Sequence, residues 1–485
     1  MFSIDRILQK PNWIYIFIFG LLFIGTAIFN KGFLASDEYW VGIDRYIPAQ
    51  NSSARTLVHE DDVKSPMQIM PMFLLAQLSL KLGIEEPYNQ YSFVVLGVGL
   101  FAFLFYWLGI ELYYLRLYLA DKKGISELRP HKNLTYLIFS FYFASSLILT
   151  RPMFESVSAP FLFISVIFAL LYDKFEDKQD LIIALIFFSI SFILRPQSCL
   201  TSLTLLILPI LKKRWKDLCY VIGAGIIALI LTGLPDFFLI NKFHGSILKL
   251  ANYNIAHGED YGKQPFYYFP VLIFILTLAP IFIRKYKNDF LKKNIRQLKA
   301  PLFYIFFFVL LHSFFPQKFE RFLIPILPIL FLLLVPLLYD LILNRNQLKF
   351  RWYSLISINF LLFFFATFFP GQKNITDLSL FVNKNKEITN LISVDNAIDW
   401  IPRAFINRKE PNIEYIKNID LLKTLKLNCN SLIITRDNII NFNENDYLLK
   451  ARFDVNPIEK LAHYLNPINN ARRVPLNVWG CNNNL

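Results

Sequence analysis

Charge is scarce in this chain. Asp, Glu, Lys and Arg make up 18% of its 485 residues, against about 25% in ordinary soluble domains. So few charges cannot shield a soluble core of this size, and a disordered chain needs more charge and less apolar surface. Four cysteines are too few for a disulfide-stapled secreted domain. The six histidines are scattered and no Cys/His spacing suggests a metal site, so no metal is expected. Glycine, at 17 residues, is too thin for a theme of GxxxG helix packing, and no glycine-rich phosphate loop is visible. What is abundant is apolar. Hydrophobic residues reach 55%, Phe alone counts 50, and the mean hydropathy is +0.41. A polytopic membrane protein remains. Its formal net charge of +14 takes its meaning from where the basic residues lie.

A membrane span needs about 20 mostly apolar residues. The first such run is 13–29, after Arg6 and Lys10. No small-residue cleavage site follows it, which predicts an anchor and not a removed signal peptide. Further runs lie near 91–113, 134–150, 157–172, 181–194, 200–211, 218–234, 266–283, 301–315, 322–343 and 353–369. Together they predict an α-helical polytopic protein of roughly 11 spans. The stretch 66–82 is either a span or an interfacial helix.

The connecting loops alternate in charge. One set carries clusters such as Lys122, Lys123 and Arg129, or Lys212, Lys213, Arg214 and Lys216. By the positive-inside rule this set is cytoplasmic, with the N-terminus. Most of the +14 is therefore a topology signal and not a nucleic-acid surface. The other loops, 31–65, 151–156, 195–198, 235–265 and 316–321, fall on the outer side. An odd number of spans puts the tail there too.

Composition shifts at Pro370-Gly371 to a tail rich in Asn, Asp and Lys. Strands are expected at 391–394, 413–416 and 431–435, with helices at 398–407 and 418–425. Residues 1–370 thus form a membrane module and 371–485 a small α/β domain outside the membrane. Cys429 and Cys481 both lie in this tail, where an outer compartment permits either a disulfide or a reduced pair.

The unusual charges gather on the outer side. Asp37 and Glu38 open the first outer loop. If the segment is helical, Trp40, Ile43 and Ile47 share an apolar face that rests on the membrane, leaving Asp37 and Asp44 toward a cavity. Adjacent carboxylates there suit general-base work on a hydroxyl, while a solvated loop acid is the plain alternative. Arg151 and Glu155 stand at helical i, i+4 spacing, and Arg195-Pro196-Gln197-Ser198 follows a later run. Each cation taken singly reads as a snorkelling side chain. Two arginines on one side of a bundle also suit a phosphate. Loop 235–265 mixes Asp236, Tyr253, Asn254 and Tyr261 with other amides and charges, a composition that suits a sugar or an interfacial aromatic belt. The hairpin Gln317-Lys318-Phe319-Glu320-Arg321-Phe322 places Lys318 and Arg321 three apart, on one face if helical.

Four segments in this order resemble the GT-C membrane glycosyltransferases, and within them the family 22 mannosyltransferases of GPI-anchor and lipid-linked oligosaccharide assembly. The family's His-Pro-Asp-Glu motif stands here as Ala35-Ser36-Asp37-Glu38. Its Arg-Pro-Thr-Ser-like element stands as Arg195-Pro196-Gln197-Ser198. Its long outer loop stands as Asp236, Tyr253-Asn254, Tyr261-Gly262 and Pro265-Phe266. Its His-Lys-Glu-Glu-Arg-Phe motif stands as Gln317 to Phe322. The first motif has lost its His-Pro, and the last has lost its first His and one Glu.

The resemblance implies a GT-C fold and inverting transfer of a hexose, mannose first, from a polyprenyl- or dolichyl-phosphate donor to a glycan or glycolipid acceptor. No further cofactor is implied. Asp37 would be the base, with Glu38 beside it. Lys318, Arg321 and Arg195 would hold the donor phosphate. Asp236, Tyr253, Asn254, Tyr261 and Glu320 would line the sugar and acceptor side. The site would face outward from a bacterial cytoplasmic membrane, or the lumen of the endoplasmic reticulum in a eukaryote. The competing readings are a flippase for a lipid-linked glycan, another GT-C transferase of protein O-mannosyl or aminoarabinose type, and a non-catalytic assembly partner, which the retained acids disfavour. A transporter would place ionisable groups at mid-span, and these spans hold few.

Overall fold

The computed structural model describes residues 10–481 except 31, 34–37, 48–64, 122–124, 257–262, 283–296, 317, 386, 396, 399–400, 407–410, 417–429, 437–446, 466, 468–469 and 471–472. By packing, the chain divides into two units. The first comprises Met1–Ala27, Val58–Pro71 and Val95–Ala366. The second comprises Ile28–Leu57, Met72–Val94 and Thr367–Leu485.

The first unit is helical and apolar. Among the described residues six helices are long and apolar enough to span: Asn12–Phe29, Pro87–Leu119, Phe154–Phe175, Trp215–Ile240, Glu320–Leu343 and Lys349–Phe368. The expected 11 is not reached on this measure. Pro196–Leu211 and Lys299–Ser313 are apolar but shorter, and at 1.5 Å per residue neither alone covers about 30 Å. The stretch at 66–82 is a 16-residue helix, Pro66–Lys81, below that length as well.

Phe154–Phe175 is the central helix of this unit. Nearly its whole length is buried, against Lys178–Leu194, Lys299–Ser313, the 3-10 turn Glu320–Ile326 and Leu327–Leu343. The abundant Phe explains how such helices hold together. Lipid offers no hydrophobic drive between them, so packing contacts must do so. Phe139 lies 5.2 Å from Phe163 and 5.4 Å from Phe331, and Phe19 lies 4.8 Å from Phe23. Gly109 makes room for this packing, since a Cβ there would come within 2.8 Å of the Phe163 ring.

The second unit carries a five-stranded sheet of order β2-β1-β3-β5-β4. Its strands are β1 Asn390–Val394, β2 Asn412–Ile416, β3 Ser431–Arg436, β4 Tyr447–Phe453 and β5 Leu476–Cys481. β1 pairs in parallel with β2 and β3, while β5 runs antiparallel to β3 and to β4. Alternating residues feed two layers. Leu391, Leu432, Ile434, Leu476 and Val478 pack with Ile375, Leu378 and Val382 of helix Lys373–Lys384. Ile392, Val394, Ile433 and Trp479 form the other face.

Three strands stand where the sequence placed them. β4 escaped because a bulge between Leu449 and Ala451 breaks its alternation. Of the helix expected at 398–407, the described residues form Arg403–Ile406, while Ile401 and Pro402 are not helical. Pro402 accounts for this, because the residue before a proline is pushed out of the helical region. The helix expected at 418–425 lies outside the described residues, as does Cys429. Cys481 is disulfide-bonded, and Cys199 and Cys219 are free.

Two glycines fix the start of this unit. Phe33 N donates to Gly371 O at 2.9 Å. A Cβ on Gly32 would lie 2.2 Å from Gly371 O, and one on Gly371 would lie 2.3 Å from Phe33 O. Only glycine permits this backbone crossing.

Candidate active site

In the first unit the cationic residues are held by local backbone chemistry. Pro196 ends helix Lys178–Leu194 and opens a 3-10 turn, so Arg195 adopts an extended conformation at the junction. Its guanidinium meets Glu155 at 2.5 Å, with both side chains almost fully buried. Glu155 sits in the first turn of Phe154–Phe175, where a helix N-terminus favours a carboxylate. The i, i+4 spacing had suggested Arg151 as the neighbour of Glu155. Arg151 instead precedes the helix in a buried turn.

The hairpin does not form one helical face. Phe319 is extended (φ −109°, ψ 146°), and the 3-10 turn begins only at Glu320, so no single helix carries both Lys318 and Arg321. Lys318 is buried, and its ammonium donates to Gln264 O at 2.9 Å and Phe315 O at 2.6 Å. Burial lowers its pKa from the usual 10.5. Arg321 lies over aromatic rings, 4.5 Å from the centroid of Phe319 and 5.5 Å from that of Phe322. Arg195 approaches the same Phe322 ring at 5.8 Å. Phe322 thus gathers two guanidiniums around one ring face system, a favourable cation–π arrangement.

The long loop is sewn to this hairpin where it returns to the membrane. Gln264 N donates to Pro316 O at 3.1 Å, and Tyr268 Oη donates to Glu320 Oε1 at 2.6 Å. At the other end of the loop, Asp236 lies within helix Trp215–Ile240, not beyond it. Asp236 is fully buried. Its Oδ2 accepts from Ser246 N at 2.8 Å and Ser246 Oγ at 2.5 Å, and its Oδ1 from Ser65 Oγ at 3.5 Å. It therefore caps helix Gly245–Ala256, which carries half-buried Tyr253 and exposed Asn254. Tyr261 and Gln317 lie outside the described residues.

The segment after helix Asn12–Phe29 belongs to the second unit. Asp37 lies outside the described residues. Glu38 opens a π-helical turn, Glu38–Ile43, followed by Asp44–Tyr46. Turns of this kind recur at functional sites. Glu38 is buried, and Tyr91 Oη donates to its Oε2 and to Gly32 O, each at 3.2 Å. The expected membrane-lying helix is not formed. Ile43 and Ile47 are buried inside the protein, and Asp44 Oδ1 accepts from Ala404 N at 2.9 Å. Nothing in the sequence marked Tyr91, which starts an apolar run. Tyr268 and Phe322 stood within motifs already read but had no role assigned.

The arrangement suits anion handling in the first unit and carboxylate chemistry in the second. Among the described residues no group of His, Cys, Asp and Glu is placed to hold a metal ion.

The fold has solved relatives. The chain is similar to the crystal structure of ArnT from Cupriavidus metallidurans bound to undecaprenyl phosphate, with a TM-score of 0.60 at 10% identity, covering 96% of this chain and 97% of that one. The apo form of the same protein gives a TM-score of 0.54 at the same identity and coverage. No curated protein matches the chain in sequence. The fold is of the GT-C type, and the protein is an integral membrane glycosyltransferase. It belongs to the Alg9-like mannosyltransferase family, which it matches over residues 13–385.

Proposed function

We propose that this protein transfers a mannosyl unit from a polyprenyl- or dolichyl-phosphate donor to a hydroxyl of a glycan or glycolipid acceptor, with inversion. The observation that carries the proposal is the family match over residues 13–385. It takes in Asp37, Glu38, Arg195, Asp236, Lys318 and Arg321 together. A lipid-phosphate donor is supported by the cationic side chains of the hairpin, and by the undecaprenyl phosphate bound in ArnT.

The chemistry is a single displacement. Asp37 takes the proton of the acceptor hydroxyl, worth about 10²–10⁴-fold in rate. The acceptor oxygen bonds to the anomeric carbon as that carbon's bond to the phosphate oxygen breaks. The electron pair leaves on the lipid phosphate. Lys318 has two of its three N–H bonds fixed by carbonyls, which leaves one to donate to the phosphate. Arg321 supplies positive charge, and Arg195, balanced by Glu155, supplies directed N–H donors. Glu38, held by Tyr91, orients Asp37. Glu320, Tyr253, Asn254 and Tyr261 line the acceptor side, and Asp236 holds the helix that presents two of them. The reacting face is the outer one of a bacterial cytoplasmic membrane, or the lumenal one in a eukaryote.

The test uses purified protein in detergent, where vectorial transport cannot occur. Labelled polyprenyl-phosphate mannose should yield labelled acceptor, while GDP-mannose should not. Transfer only from the nucleotide sugar, or movement of lipid-linked glycan without transfer, would overturn the proposal.

A further inference from the structure

Helix Pro457–Leu465 has an inner and an outer face of opposite character. On the inner side Glu459 is buried. Its Oε1 accepts from Gln372 N at 2.7 Å, and its Oε2 accepts from Asn456 Nδ2 at 3.1 Å. Asn456 Nδ2 also donates to Pro370 O at 2.9 Å. On the outer side Ile458, Leu461 and Tyr464 recur every three residues, one helical stripe, and are 41%, 56% and 83% exposed. Exposed Lys460 borders that stripe. Three exposed apolar side chains in a row on a nine-residue helix are costly in water.

The helix's polar bonds tie its start to Pro370 and Gln372. Pro370 follows Phe368, the last residue of helix Lys349–Phe368. The Phe368 ring lies 5.5 Å from that of Phe29, the last residue of helix Asn12–Phe29. Two spanning helices therefore end together here, and Asn456 and Glu459 tie the start of Pro457–Leu465 to the residues just past that end. We infer that this helix docks on the bilayer. Ile458, Leu461 and Tyr464 enter the headgroup–acyl boundary, and Lys460 reaches anionic headgroups from the rim. Apolar face, tyrosine and lysine are the interfacial composition that membranes favour. The tail is thereby fastened to the membrane at a second place, besides the span that leads into it.

A nitroxide label reads the docking directly. The full chain, with Cys199→Ser and Cys219→Ser, carries the label through Leu461→Cys in nanodiscs containing anionic lipid. Accessibility to oxygen should be high and accessibility to a water-soluble nickel chelate low. The same label at Arg452→Cys, on exposed strand β4, should show the reverse. Nickel access at position 461 equal to that at 452 would overturn the inference. So would shielding from both reagents, which would mean that protein covers the face, a second copy or a soluble partner. As an independent reading, Leu461→Glu with Tyr464→Glu should speed amide exchange in residues 457–465 in nanodiscs. Equal exchange in variant and wild type would contradict docking.

Discussion

Glu155 and Arg195 meet at 2.5 Å with only 5% and 4% of their side chains exposed. Both side chains are withdrawn from water, so removing the carboxylate takes a close counter-charge from a buried guanidinium. Glu155→Gln should therefore cost about 3–5 kcal/mol of stability, seen as a lower thermal midpoint in detergent. Glu155→Gln combined with Arg195→Gln should recover most of that stability while transfer stays low. Recovery of transfer in the double variant would mean that Arg195 serves packing alone.

The backbone crossing at Gly32 and Gly371 leaves no space for a methyl group. Gly371→Ala would set a Cβ 2.3 Å from Phe33 O, so the chain must move. Overpacking of this kind costs about 1–3 kcal/mol. The expected readout is earlier proteolysis of the tail together with reduced transfer, because the crossing also anchors the loop that carries Glu38. Gly25→Ala, where nothing lies within 4 Å of the added atom, serves as the silent control.

Lys318 gives a pH signature. Burial lowers its pKa below 10.5, so it loses its proton earlier than an ordinary lysine as pH rises. Donor use should fall on the alkaline side below pH 10.5. Over that window Lys318 binds more proton in the unfolded chain than in the folded one, so its own contribution to stability rises with pH and its deprotonation does not drive unfolding. Lys318→Arg keeps its charge and should move the alkaline limb upward. A limb that stays in place would assign it to another group.

The bond from Tyr268 to Glu320 holds the returning end of the long loop. Tyr268→Phe should raise the KM for acceptor by roughly tenfold, in line with the ~1.5 kcal/mol lower end for a hydrogen bond to a charged group. kcat at saturating acceptor should change little. A matching loss in kcat would place the tyrosine in the chemical step.

The membrane class and three strands of the tail's sheet were legible because each depends on composition or short-range pattern. Partnerships were not. Glu155 stands four residues from Arg151, yet pairs with Arg195, because Pro196 ends one helix and turns the arginine toward the start of another. Lys318 and Arg321 have the spacing of one helical face, but the extended Phe319 between them means that no helix carries both. Asp236 has the composition of a sugar ligand and the geometry of a helix cap. Ile43 and Ile47 carry the pattern of a membrane-lying helix, but Asp44 and Ala404 join that segment to the protein interior. In each case a tertiary contact decided what local spacing could not.

The central claim is that Asp37 activates an acceptor hydroxyl against a lipid-phosphate mannose. The most direct measurement is single-turnover transfer from labelled polyprenyl-phosphate mannose, wild type beside Asp37→Asn, with donor binding measured on both. The account predicts unchanged donor binding and a loss of transfer of about 10²-fold or more in the variant. Transfer by Asp37→Asn at the wild-type rate would contradict it.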